Sequence, residues 1–136
     1  MKKFLLMLVV VLVATTSYAQ EVPQDSLSDY ELGIDLILEG RYEEGIDYLN
    51  KEVRKDPTNG KAIIWIACAR YELGQYDKAL IAADNAIRFI SKKEAELKAY
   101  AHSIRAEIHK GLGDTKATLK DYTAAIKLSG DPSYFC

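Results

Sequence analysis

The chain has 136 residues, with 20 acidic against 18 basic side chains, a formal net charge of −2 and 49% apolar residues. That balance offers no electrostatic footing for nucleic acid or an anionic membrane, and the length fits one domain of ordinary size. Two cysteines, Cys68 and Cys136, are too few for a disulfide framework.

The chain opens like an export leader. Lys2 and Lys3 precede the apolar run Phe4 to Ala14, and Ser17-Tyr18-Ala19 supplies a small-x-small cleavage signal before Gln20. The run is shorter than the roughly 20 residues a membrane span needs. Residues 1–19 therefore read as a cleavable signal peptide, with no stable membrane insertion after cleavage and a periplasmic or secreted product. Loss of the two lysines leaves 16 basic against 20 acidic residues, a net charge of −4. Residues 20–25 read as a short polar lead.

Six helices in three pairs are expected from Ser26 onward. The first pair spans about 26–39 and 42–55 and stops at Asp56-Pro57-Thr58-Asn59-Gly60, where Pro57 and Asn59-Gly60 favour a turn. The second pair spans about 61–73 and 76–90. In its second helix Ala79, Ala82, Ala83, Ala86, Ile87 and Ile90 recur at three- and four-residue steps. The third pair spans about 92–110 and 116–128, with Ser91 and Glu94 in the spacing of a capping box. Gly130-Asp131-Pro132 closes the array, leaving a tail at 133–136. No strand-like alternation competes.

Gly40, Gly74 and Gly113 stand between the helices of each pair, at intervals of 34 and 39 residues. Such recurrence marks a stacked helical repeat. The units resemble the tetratricopeptide repeat, a 34-residue helix–turn–helix family. The first, about 26–59, has Leu32-Gly33, Gly40, Tyr42, Leu49 and Pro57. The second, about 60–93, has Ile66-Ala67, Gly74, Tyr76, Ala79, Ala83 and Ala86. The third, about 99–132, has Arg105-Ala106, Leu112-Gly113, Leu119, Asp121-Tyr122 and Ala125-Ile126. The resemblance implies an all-α fold of three stacked helix-turn-helix repeats forming a short right-handed solenoid.

There are departures from the pattern. Gly45 and Thr118 replace the small Ala79, and Glu52 replaces Ala86, so looser packing or a register shift onto Val53 is expected in the first unit. Arg70 and His109 stand where a large aromatic is usual, and Thr115 replaces the turn tyrosine. With no seventh helix after Leu128, the last outer face is expected to be polar, covered by Tyr134 and Phe135, or buried by another subunit.

The resemblance implies partner binding on the surface lined by first helices, here Tyr30, Ile34, Ile64, Cys68, Tyr71, Tyr100 and Glu107, with Leu27, Leu38, Glu72, Ser103 and Lys110 beside them. Its charged carboxylate clamp is not matched. The competing reading is that some of these residues simply pack between helices. His102 and His109 are seven residues apart, about 10.5 Å along a helix, too far for one ion. Trp65 reads as a packing residue before a sugar platform. No phosphate loop, paired-cysteine motif or nucleophile triad appears.

The expectation is an exported, non-enzymatic scaffold of the bacterial envelope that holds a protein or peptide partner, without metal or cofactor. The second reading is a subunit that self-associates through its C-terminal end. The third is a small-molecule or metal-binding accessory using His102 or Trp65.

Overall fold

A computed structural model describes residues 26–130; the expected leader, polar lead and tail lie outside the described residues. Six helices and no strand occur among them: α1 (Asp29–Leu38), α2 (Tyr42–Lys55), α3 (Gly60–Glu72), α4 (Tyr76–Phe89), α5 (Ala95–Gly111) and α6 (Thr115–Ser129). The 39-residue interval has a simple origin. Relative to the second unit's first helix, α5 carries four extra residues, and the connection before it carries one more.

Each pair is joined by the same closure. Gly40, Gly74 and Gly113 have φ of 82°, 73° and 80°, a region that costs glycine little. The following N–H reaches back across the turn, Arg41 to the Leu36 carbonyl at 2.8 Å, Gln75 to Arg70 and Asp114 to His109 at 2.9 Å. The orphan carbonyls at the helix ends are thereby satisfied.

The start signals fall differently from expectation. The capping box lies at Ser28 and Glu31: the Glu31 N–H donates to Ser28 Oγ at 3.2 Å, and the Ser28 N–H to Glu31 Oε2 at 2.9 Å. Ser91 and Glu94 form none. Ser91 Oγ instead accepts from the Lys93 N–H at 3.2 Å, and α5 begins at Ala95. The cause is tertiary: Ile90 is anchored in the core at 3% exposure with extended backbone, so the chain must cross before helix can restart.

Small residues set the packing distance. Ala67, Ala79, Ala83, Ala86 and Ala106 have no accessible surface. The first unit packs tightly, not loosely. A Cβ on Gly45 would fall 2.6 Å from Ile37 Cγ1 and 2.8 Å from the Gly33 carbonyl oxygen, and one on Gly33 would fall 2.7 Å from Leu49 Cγ. The two glycines thus let α1 and α2 approach backbone to backbone. Val53 bridges the core of the first unit to that of the second.

Neighbouring first helices meet, α1 with α3 and α3 with α5, whereas α2, α4 and α6 do not approach one another among the described residues. First helices close together and second helices splayed apart bend the stack. Its inner, concave side is the row α1, α3, α5.

Candidate functional site: the concave row of first helices

The inner row is tied together by side chains reaching between units. Tyr30 of α1 stands beside Trp65 of α3. Burial raises the Tyr30 hydroxyl above its ordinary pKa, with the Trp65 indole pulling partly back, and Lys61 Nζ lies 5.9 Å from the ring centre. Cys68 Sγ of α3 is 3.8 Å from the Tyr100 hydroxyl of α5. Tyr71 stacks obliquely on Tyr76, ring centres 5.6 Å apart, and feels the charges of Glu107 and Glu72. Glu107 in turn accepts a hydrogen bond from the Tyr122 hydroxyl of α6.

Burial holds the thiol and the tyrosine hydroxyls of this row in their neutral forms. Burial pushes the Cys68 thiol up to about 11, with the Glu72 carboxylate adding to it, so the nucleophilic thiolate is scarce at neutral pH. Burial likewise raises the Tyr100 hydroxyl, and burial followed by Glu107, Tyr76 and Glu72 raises that of Tyr71. The tyrosines remain neutral, each offering an aromatic face and a hydroxyl.

The expected groove residues separate into two groups. Tyr30, Ile34, Cys68, Tyr71, Tyr100 and Glu107 are half-buried. Ile64 has no accessible surface and sits in the core with Ile63, Ala67 and Ala101, so it packs between units and cannot touch a partner. The middle first helix has neighbours on both sides, which close over Ile64. Leu38 gains prominence: it is 71% exposed at the turn end of α1.

A second polar centre lies between α5 and α6. Asp121, 3% exposed, receives Arg105 Nε at 2.8 Å and Nη2 at 2.7 Å, and His102 Nδ1 lies 3.0 Å away. His109 Nε2 approaches Oδ2 at 3.6 Å, and Arg105 Nη1 continues to Asp84 of α4 at 2.9 Å. Burial would raise the Asp121 carboxyl, but His102 and Arg105 outweigh it and hold the group below its ordinary value. The histidines, too far apart to share an ion directly, flank one carboxylate midway between them. Sequence spacing did not reveal this hub, because its partners lie 12 to 19 residues away on the facing helix. Trp65 is half-buried and packs against the cores of the first two units. No cluster of three or more His, Cys, Asp or Glu suited to a metal occurs among the described residues.

No protein-family model matches the chain. No curated protein matches it either. Solved structures do. The first TPR of Spaghetti (RPAP3), bound to the HSP90 peptide SRMEEVD, superposes with a TM-score of 0.71 at 22% identity, covering 79% of this chain and 81% of that one. The N-terminal domain of stress-induced protein-1 (STI-1) from C. elegans gives 0.69 at 16% identity, covering 78% and 85%. PcrH in complex with the chaperone binding region of PopD gives 0.69 at 20% identity, covering 83% of each chain. At these identities the likeness is one of fold. The chain has the tetratricopeptide fold, all-α with three stacked helix pairs.

Proposed function

From that fold, we propose that this chain is an exported interaction module that holds an extended or helical segment of a partner protein on its concave side. The observation that carries the reading is the row linking Tyr30, Cys68, Tyr71 and Tyr100 across three successive first helices, beside the exposed Leu38. Aromatic rings on a rigid row present contact area at little entropic cost, and an amphipathic segment would bury its apolar face there. The solved structures support the reading, since two of them hold a peptide or a partner region. Export is part of the proposal and rests on the leader-like order of Lys2, Lys3, the apolar run and Ala19.

Affinity capture tests the reading. Leu38→Ser combined with Tyr71→Ala should lose most of the captured partner while far-UV circular dichroism stays that of the parent. Undiminished capture by a folded double variant would remove the concave row from consideration.

A further inference from the structure

Among the described residues, both ends of the stack present an uncovered stacking surface. Inside the array, Leu80 and Ile87 of α4 pack into the core that also holds Ala101 and Ile108 of α5. Leu119 and Ile126 stand 39 residues later, at the equivalent stations of α6. They are 62% and 45% exposed. The outer face of the last helix is therefore apolar at its stacking positions.

The opposite end has the complementary gap. Ile66 of α3 packs in one cluster with Ile46 and Leu49 of α2. Leu32 lies 34 residues earlier, at the equivalent station of α1, with Leu36 at that of Arg70. With no preceding second helix among the described residues, Leu32 and Leu36 line an open recess of about 410 Å³ together with Asp35, Glu39 and Tyr48.

Charge says what fits. The outward side of α6 carries exposed Lys116, Lys120 and Lys127, none of them in an ion pair among the described residues. Its single carboxylate, Asp121, is turned inward. The recess on α1 is bordered by three exposed carboxylates, Asp35, Glu39 and Glu44, and by one cation, Arg41, which pairs with Glu39 at 3.5 Å and Glu44 at 2.6 Å, so its balance stays negative. A symmetric contact between two α6 helices would set lysine against lysine. A contact between α6 and α1 sets lysine against carboxylate and apolar station against apolar station.

We propose that a second copy of this chain stacks its α1 on α6, continuing the repeat array head to tail. The contact is heterologous, so each added copy presents a fresh α6 and a fresh α1. It lies away from the inner row and extends that row, making one longer concave surface from several chains.

Sedimentation velocity of the protein expressed from its full sequence tests this. Head-to-tail stacking predicts association that grows with concentration without stopping at a dimer, and that weakens as salt screens the charged rims. Two exposed-surface variants locate the contact: Leu119→Ser with Ile126→Ser on α6, and Asp35→Lys with Glu39→Lys on α1. Each should retain helicity and sediment as a monomer. Mixed, they should form a one-to-one dimer and nothing larger, because each supplies the end the other lacks. An α1 variant that still dimerises would overturn the proposal in favour of a symmetric α6 contact. A parent that stays monomeric at high concentration would overturn it as well, leaving the ends to other occupants such as the chain's own terminal residues. Should the α6 serine variant misfold, Lys120→Glu with Lys127→Glu reads the same end.

Discussion

Arg105 grips both carboxylate oxygens of Asp121, at 2.8 Å and 2.7 Å, across the contact of α5 and α6. The same guanidinium reaches Asp84 at 2.9 Å, so one side chain fastens three consecutive helices. Without Asp121 the guanidinium keeps Asp84, so the loss is that of charge-assisted hydrogen bonds, about 1.5–3 kcal/mol. Asp121→Ala should destabilise the protein by about that much in urea unfolding. Lys55→Ala, which breaks an exposed contact with Asp29 at 3.3 Å, should leave the midpoint almost unmoved.

Acid sensitivity follows from the same carboxylate. Its folded-state pKa lies below the ordinary value of about 3.9, so the unfolded chain takes up the proton first. The stabilisation is fully present above the unfolded value and is lost as pH falls through the folded one. Denaturant midpoints measured from pH 6 down to pH 2 should decline more steeply for the parent than for Asp121→Asn. Parallel declines would contradict the assignment.

Two glycines with different duties separate packing from backbone conformation. At Gly74 the φ of 73° disfavours any side chain, yet a Cβ would meet nothing within 4 Å. Gly74→Ala should therefore cost about 1–2 kcal/mol through left-handed strain alone. At Gly45 the backbone is ordinary helix, where alanine would gain about 1 kcal/mol of propensity. The Cβ nevertheless meets Ile37 and the Gly33 carbonyl at under 3 Å. Gly45→Ala should thus be net destabilising by about 1–3 kcal/mol, as overpacking is. A stabilised Gly45→Ala would mean that α1 and α2 are not held at this distance.

Cys68 should be a slow thiol. With its pKa at about 11 against roughly 8.5 for a free cysteine, alkylation near neutral pH should run about two orders of magnitude slower than for a small thiol. Iodoacetamide kinetics on a Cys136→Ser background measure this directly. A rate equal to the free thiol would place Cys68 outside the half-buried contact with Tyr100.

The helices were readable because their signals are local. Alanines at 79, 83 and 86 mark one face of α4, and Gly40, Gly74 and Gly113 mark turns that only a left-handed residue closes. The pattern Ser-x-x-Glu occurs at both Ser28 and Ser91, and nothing within four residues says which one caps a helix. Burial of Ile90 decides that, and burial is tertiary. Ile64 looked like a groove residue because its helical position faces inward; neighbours on both sides cover it. Asp121 reads as one more polar residue of an amphipathic helix until α5 brings Arg105 and His102 against it. What the sequence withheld was in each case a contact between helices.

Position-resolved photo-crosslinking inside the producing cell shows which face of the stack holds the partner. A photoreactive residue at Leu38, on the concave row, should yield a discrete partner adduct. The same residue at Ile81, 64% exposed on the second helix of the middle unit, should yield none. Adducts from position 81 with none from position 38 would contradict the account and move the partner to the outer face.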